Sequence, residues 1–214
     1  MFTKISLLLH YWNRKRLFER KYRKAAPYVT RDSSFEQEKY SRQLDLVKDR
    51  RYLNAIEVGC GEGVFLEKLA PFCDFALGVD LSEEAIHRAR KYCEKFPQVQ
   101  FKVENLTAIK SDQVFDLVVA TDVLYYMGQE HDWAHMQTVM DNLCRVVTPG
   151  GRLLLTNCHT GMSHNKDWLS LQVMRRYREE CVRQGFVLTV EKEYEGFNGS
   201  HQVPYLISLM EKSE

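Results

Sequence analysis

The chain has 214 residues, of which 44% are hydrophobic and 28% are charged, and its formal net charge is +1 at pH 7. This composition is typical of a globular protein with one sizeable core, and the balanced charge gives no overall reason to expect a nucleic-acid or membrane partner. The six cysteines include no C-x-x-C pair. They therefore favour reduced thiols in a cytoplasmic protein over a disulfide framework or a zinc site, and no signal peptide or membrane span is predicted.

The charge is unevenly distributed along the chain. Residues 1–31 carry nine Lys or Arg and one Glu, so this arm is net +8 and the remaining 183 residues are net −7. Apolar residues recur at helical spacing over residues 2–24, which predicts an amphipathic basic helix. Such a helix can pack on its own domain, lie on an anionic membrane or contact a partner, and packing on its own domain is favoured. We therefore expect a basic arm over residues 1–31 and a domain over residues 32–214.

Helical and strand patterns alternate from residue 35 to the end of the chain. The predicted helices cover residues 35–48, 64–70, 82–94, 131–147 and 167–184. The predicted strands cover residues 53–58, 75–79, 99–103, 115–120, 152–156, 186–193 and 205–210. Ser33 or Ser34 and Ser82 are the expected N-caps, and the Thr-Pro-Gly-Gly segment at residues 148–151 is a helix stop signal.

This alternation predicts an α/β fold with a doubly wound, mostly parallel sheet. The last two strands, joined by a Gly/Asn/Ser loop at residues 196–200, predict an antiparallel hairpin at the sheet edge. On the helix over residues 35–48, an apolar stripe of Phe35, Tyr40, Leu44 and Val47 is expected to face the core. Ligands are expected at the carboxyl ends of the parallel strands.

The motif that carries most chemistry is the loop after the first strand. Residues 57–63 read Glu-Val-Gly-Cys-Gly-Glu-Gly, a G-x-G-x-G turn with Glu57 two residues before the first glycine. Glycine lets backbone approach a ligand closely, whereas a carboxylate at this point disfavours a pyrophosphate and suits a cationic ligand. Asp80, at the end of the second strand, can accept hydrogen bonds from both hydroxyls of a ribose.

Together these features resemble the class I S-adenosylmethionine (SAM)-dependent methyltransferases. The matching segments are the E-x-G-x-G-x-G loop, Asp80, FDLVVATDVLYY at residues 115–126, and TPGG before the fifth strand. The resemblance implies a seven-stranded sheet with an antiparallel last strand, covering helices at the N-terminus, and SAM as the cofactor. It implies cofactor contacts by the following residues: Tyr40, Glu57, Gly59, Cys60, Gly61, Gly63, Asp80, Leu81, Asn105, Leu106 and Thr121. Asn105 stands where the family usually has an acid that contacts adenine.

A narrower resemblance links the chain to the nodulation protein S group of N-methyltransferases. It is carried by residues 26–28 (Ala-Pro-Tyr), by residues 33–40 (SSFEQEKY) and by residues 123–126 (VLYY). That group methylates the free amine of a chitooligosaccharide, so the resemblance implies a small sugar-like amine as the acceptor. Where the group has Asp-Pro-Trp, this chain has Ala-Pro-Tyr.

Candidates for acceptor chemistry follow the fourth and fifth strands. Asp122 is placed to orient an ammonium and take its proton, Tyr126 to form a pocket wall, and His159 to act as a base. The alternatives are an O-methyltransferase acting on a natural-product hydroxyl, or a SAM-binding regulatory protein without catalysis. RNA is disfavoured, because an N/D-P-P-Y/F tetrapeptide does not follow the fourth strand. His131 and His135 lack the glutamate of H-E-x-x-H and a third ligand, so no metal is expected.

Overall fold

The computed structural model describes residues 4–23, 31–105, 113–128, 133–159 and 168–214, with the backbone alone for residues 4–10. The helices are α1 (Lys4–Tyr22), α2 (Ser34–Val47), α3 (Val64–Leu69), α4 (Glu83–Tyr92), α5 (Leu124–Gly128), α6 (Trp133–Arg145) and α7 (Leu171–Arg183). The strands are β1 (Tyr52–Val58), β2 (Cys73–Asp80), β3 (Val99–Val103), β4 (Phe115–Thr121), β5 (Val147–Cys158), β6 (Phe186–Asn198) and β7 (His201–Lys212).

All seven strands form one sheet in the order β3-β2-β1-β4-β5-β7-β6. The first five strands pair in parallel, and β7 runs antiparallel between β5 and β6. The strand order reverses between β1 and β4, and the carboxyl ends of these strands therefore flank a crevice where ligands bind in open α/β sheets. The predicted doubly wound sheet with an antiparallel hairpin is confirmed.

Each face of the sheet has its own hydrophobic core. One core joins the sheet to α5, α6 and α7 through residues such as Leu124, Met140 and Cys181. The other joins it to α2, α3 and α4 through residues such as Val47 and Phe65. Strand β4 contributes to both cores, which explains its continuous apolar sequence.

The helix start signals are confirmed by their hydrogen bonds. The N–H of Glu36 donates to Oγ of Ser33 at 3.3 Å, and the N–H of Ala85 donates to Oγ of Ser82 at 3.2 Å. These contacts satisfy N–H groups that have no partner in the first turn of a helix.

The TPGG segment was expected to separate a helix from a strand, but it lies inside β5. Helix α6 ends at Arg145, and pairing with β4 begins at once, with Val147 opposite Phe115. The register is irregular between Phe115 and Leu117, and this irregularity accommodates the extra residues of the segment. The expected hairpin loop is also shorter, because β6 continues to Asn198 and only residues 199–200 form the turn.

The apolar stripe of α2 faces the core as expected: Phe35 and Val47 are buried, and Tyr40 and Leu44 pack against the same core while partly buried. The sequence did not indicate that Lys39 and Gln43 are buried beside them. Helix α5 was not predicted, because its five residues give too short a periodic pattern.

No helix in the described part of the chain has the length and apolarity needed to cross a membrane.

Candidate cofactor and acceptor site

The turn after β1 is built from left-handed backbone. Gly59 and Gly61 have φ angles of +72° and +52°, which residues with a side chain rarely adopt. A Cβ on Gly59 would lie 2.6 Å from Cγ2 of Val123, and one on Gly61 would lie 2.7 Å from the hydroxyl oxygen of Tyr22. The N–H of Gly59 donates to the carbonyl of Val79 at 2.8 Å, which ties the loop to β2. Only glycine fits at these two positions.

Asp80 closes the glycine loop from the neighbouring strand. Its Oδ2 accepts a hydrogen bond from the N–H of Gly61 at 3.0 Å, and its Oδ1 accepts one from the N–H of Ser82 at 2.9 Å. Burial raises the pKa of the Asp80 carboxyl, and these N–H donors oppose the rise. Each carboxylate oxygen has a further lone pair, so Asp80 can accept hydrogen bonds from two adjacent hydroxyls.

Glu57 is a buried acid at the end of β1. Its side chain lies 3% exposed, and its Oε2 atom has no hydrogen-bond partner among the described residues. Burial raises its pKa well above the ordinary range, the carboxylate of Asp80 raises it further, and a backbone hydrogen bond at Leu66 opposes the rise. A buried polar atom without a partner is unfavourable, and a cationic donor in the adjoining cavity would satisfy it.

A cavity of about 450 Å³ opens beside the glycine loop. The described residues that line it come from α1, α2, the glycine loop, the ends of β2 to β5, α5 and the final hairpin. They include Tyr11, Arg14, Phe18, Tyr22, Phe35, Glu36, Lys39, Tyr40, Glu57, Gly59, Cys60, Gly61, Asp80, Leu81, Glu104, Asn105, Thr121, Asp122, Tyr125, Tyr126, Cys158, Asn198 and Val203. The structure therefore brings together most of the cofactor and acceptor residues that the sequence indicates.

A buried ion cluster forms one wall of this cavity. Nζ of Lys39 lies 3.0 Å from Oε2 of Glu36 and also pairs with Oδ2 of Asp122. Burial would lower the pKa of Lys39, but the carboxylates of Asp122 and Glu36 outweigh it and hold that pKa well above the ordinary range. Oδ1 of Asp122 accepts a hydrogen bond from the N–H of Cys158 at 2.9 Å. Asp122, with a φ of +50°, is thus held from two sides.

Aromatic side chains surround the same wall. The rings of Tyr125 and Tyr126 lie 4.3 Å apart between centroids, and the ring of Tyr40 lies 6.0 Å from that of Phe65. Burial raises the pKa of Tyr40 and of Tyr125, so both phenols stay neutral at physiological pH. The aromatic groups make this part of the cavity apolar around a few fixed charges.

Helix α1 covers the cavity, as expected of an N-terminal covering helix, but sequence reasoning missed the residues of α1 that line the cavity. Phe18 packs edge-on against Tyr126 at 5.1 Å, and the guanidinium of Arg14 donates to the Tyr126 carbonyl at 3.1 Å. On the α4 side, Oγ of Ser82 donates to Glu19 at 2.7 Å. The helix therefore packs on its own domain, as favoured from the sequence. Its basic composition hid the inward residues, since only every third or fourth position faces the cavity.

Several predicted site residues lie elsewhere. His159 does not line the cavity. Its ring atom Nε2 lies 3.0 Å from Oε1 of Glu193 on β6, and its backbone N–H donates to the carbonyl of Pro204. Gly63 is the N-cap of α3 and not a lining residue. Leu106, residues 26–28 and His131 lie outside the described residues.

The polar residues after β3 and β4 also refine the site. Glu104 lines the cavity directly before Asn105, so an acid is present one position earlier than the resemblance suggested. Oγ1 of Thr121 donates to Oε1 of Gln43 at 3.0 Å, which fixes the end of β4 against α2. In the part of the chain that the structure describes, no group of three or more His, Cys, Asp or Glu residues could hold a metal ion.

A sheet of this order and direction, with a G-x-G-x-G loop after β1 and an acid at the end of β2, defines the class I SAM-dependent methyltransferases. The particular family follows from the sequence. The family model of Nodulation protein S (NodS) matches residues 12–169. The chain therefore belongs to the NodS family, as the narrower resemblance predicted.

Individual relatives agree with this assignment. Nodulation protein S of Rhizobium tropici is 36% identical over 129 residues, which cover 60% of this chain and 53% of that protein. Nodulation protein S of Sinorhizobium fredii (strain NBRC 101917 / NGR234) is 33% identical over 143 residues, which cover 66% of this chain and 65% of that protein. The chain thus spans about half to two thirds of the length of these curated relatives.

A solved structure shares the fold over nearly the whole chain. N-methyltransferase NodS from Bradyrhizobium japonicum WM9, in complex with S-adenosyl-L-homocysteine, superposes with a TM-score of 0.77 at 23% identity. The match covers 94% of this chain and 98% of that chain. At 23% sequence identity, this structural similarity establishes that the two proteins share a fold.

Proposed function

We propose that this chain transfers a methyl group from SAM to the nitrogen of a small amine, with amino sugars as the favoured acceptor class. The observation that carries the proposal is one continuous cavity. It joins a glycine loop and the buried carboxyl of Glu57, whose Oε2 atom has no hydrogen-bond partner among the described residues, to a wall of fixed charges around Asp122. Membership of the NodS family supports the same activity.

The cofactor half of the cavity fits SAM chemically. Glu57 would hold the ammonium group of its methionine moiety, and Asp80 the two ribose hydroxyls. Leu81 and Asn105, at the ends of β2 and β3, would lie against the adenine. When bound, SAM supplies a methyl group on a positively charged sulfonium, which is already an activated leaving group. The acids on this side therefore match the charge of the ligand.

The acceptor half favours a neutral amine over a hydroxyl. A hydroxyl acceptor needs a base, whereas a neutral amine attacks through its own lone pair. Lys39 is held protonated by two carboxylates, and Tyr125 stays a neutral phenol. His159, the histidine proposed as a base, lies away from the cavity. These states support nitrogen as the nucleophile.

The residues would align the acceptor and exclude water. Asp122 would accept a hydrogen bond from the amine N–H, while Tyr125 and Tyr126 enclose the reacting groups. The nitrogen lone pair forms the new C–N bond, the C–S bond breaks, and the sulfur keeps its electron pair. The resulting N-methylammonium loses its proton to water. In this proposal Asp122 orients the amine and does not take its proton.

Two further observations concern the methyl acceptor and the cellular compartment. The relative from Bradyrhizobium japonicum WM9 is named an N-methyltransferase, which supports an amine acceptor here. The six cysteines are all free thiols, and this supports the cytoplasm as the site of action.

The test is a methyl-transfer screen with labelled SAM over D-glucosamine, ethanolamine and catechol, run beside calorimetry with S-adenosylhomocysteine. We expect S-adenosylhomocysteine to bind and label to pass to an amine. Transfer to catechol alone would establish O-methylation instead. Binding of S-adenosylhomocysteine without transfer to any acceptor would favour a regulatory protein. Absence of binding would refute the cofactor assignment.

A further inference from the structure

The ion cluster of Glu36, Lys39 and Asp122 has a feature that the proposed reaction does not use. Two carboxylates from different elements converge on one ammonium group, that of Lys39, whose side chain is 2% exposed. The side chains of Glu36 and Asp122 are 17% and 19% exposed, and all three residues line the cavity. The cluster is thus a preformed ammonium site that the chain fills with its own lysine.

The surroundings give this site a defined charge. Helix α2 contributes Glu36 and Tyr40, the segment after β4 contributes Asp122, and β5 contributes Cys158. Tyr125 of α5 faces Asp122 as well. Burial raises the pKa of Tyr40, Tyr125 and Cys158, so these three groups stay neutral. Burial also raises the pKa of Glu36, and the ammonium of Lys39 opposes that rise. With Lys39 protonated and both carboxyls ionised, the cluster carries a net charge of −1.

We infer that Lys39 sets the protonation state in which the acceptor binds: it occupies the ammonium position between Glu36 and Asp122, so the site admits the acceptor as a neutral amine. This inference rests on the proposed function, and it makes Lys39 a specificity-determining residue. Nζ of Lys39 offsets one of the two carboxylates, so an acceptor ammonium beside Asp122 gains less stabilisation than it would beside both bare carboxylates. More of the bound acceptor therefore keeps the lone pair that the transfer requires, and the protonated product is held less tightly.

Removal of the lysine should turn the cluster into an ammonium trap. In Lys39→Met the two carboxylates have no cation, the cluster charge falls to −2, and an acceptor ammonium is stabilised but cannot react. One added negative charge within several ångströms raises the pKa of a bound amine by about one to two units. The pH midpoint of kcat for D-glucosamine should rise by that amount, because kcat reports groups of the bound complex.

A charge-matched series separates this effect from structural damage. Glu36→Gln/Lys39→Met restores a cluster charge of −1 and should return the midpoint to the wild-type value. Glu36→Gln alone makes the cluster neutral and should lower the midpoint. A lysine that only supports the fold would reduce kcat at every pH without moving the midpoint, and that result would overturn the inference.

A second experiment needs no methyl transfer. Lys39→Ala leaves space for a small cation, so ethylammonium chloride should raise its melting temperature above the effect of sodium chloride at equal ionic strength. The wild type should show no such difference. If Lys39→Ala does not fold, Lys39→Ala/Glu36→Gln, with one buried acid fewer, takes its place. Absence of an ethylammonium-specific shift in the variant that folds would overturn the inference.

The two experiments keep the two proposals distinct. If the wild type transfers no methyl group to any amine, the proposed function fails, while the ethylammonium measurement still decides whether the cluster is an ammonium site. If transfer occurs but the midpoints do not follow cluster charge, the proposed function stands and the role of Lys39 is refuted.

Discussion

Replacement of Glu57 by glutamine should stabilise the ligand-free protein and weaken cofactor binding in the same step. Glutamine keeps the shape of the side chain and removes its charge. Burial raises the pKa of Glu57 above the ordinary value of 4.5. The folded state therefore binds this proton more tightly than the unfolded state, and ionisation of Glu57 lowers stability as pH rises above about 4.5.

The magnitude follows from the buried charge that glutamine removes. An ionised carboxyl with one unpaired oxygen costs several kcal/mol in a protein interior, whereas the neutral amide of glutamine leaves an unpaired polar group that costs about 1–3 kcal/mol. For a chain of this size, each kcal/mol shifts the melting temperature by about 2–4 °C. A gain of about 2 kcal/mol at pH 7.5 thus predicts a rise of about 4–8 °C. Loss of a charge-assisted hydrogen bond, about 1.5–3 kcal/mol, predicts a dissociation constant for S-adenosylhomocysteine about 10- to 150-fold higher.

Differential scanning calorimetry at pH 7.5 and pH 4.5, with titration calorimetry for the ligand, measures both effects. The advantage of Glu57→Gln should shrink at the lower pH, where the wild-type carboxyl becomes protonated. Glu62→Gln is the matched control in the same loop. Glu62 pairs with Arg88 at 2.9 Å, so its replacement should not stabilise the protein. A ligand-free Glu57→Gln protein that melts below the wild type at pH 7.5 would refute the reasoning.

Two other substitutions test the loop around this acid. Asp80→Ala should weaken S-adenosylhomocysteine binding by at least about tenfold, because it removes the ribose acceptor and leaves two N–H groups without partners. Asp74→Ala, exposed on the same strand, should leave calorimetric affinity within about twofold, and equal losses would contradict the assignment. Gly59→Ala should lower the free energy of unfolding by about 2 kcal/mol more than Gly185→Ala. Both glycines have positive φ, but only at Gly59 would a Cβ meet Val123, and equal denaturation midpoints would show that the contact is harmless.

The sequence predicted the sheet, and it predicted that the glycine loop and Asp80 lie together at one edge of it, for a physical reason. The strands are apolar runs, and the loop chemistry depends on consecutive residues such as Glu57 to Gly63, so the signal is local. Asp80 could be placed because a parallel strand ends at the same edge as β1. These features need no knowledge of tertiary packing.

The acceptor half could not be predicted in the same way. Lys39 looks like a solvent-exposed helix residue that pairs with Glu36, and its second partner, Asp122, lies 83 positions later in the sequence. His159 follows β5, at the sheet edge where catalytic residues are expected, but Glu193 of β6 lies beside it. Helix α1 faces the cavity through residues scattered within a basic segment. Each case depends on contacts between segments distant in sequence.

The placement of β7 has a consequence for the order in which the molecule is assembled. Among the strands that the structure describes, β6 pairs with β7 alone, and β7 supplies the ladder that joins β6 to β5. During synthesis from the first residue to the last, β6 leaves the ribosome before the strand that attaches it to the sheet. Asn198 and Val203, near the turn of this hairpin, line the cavity. Strand β7 therefore completes the lining of the cavity at Val203, and a nascent chain that lacks β7 has the glycine loop but not this part of the wall.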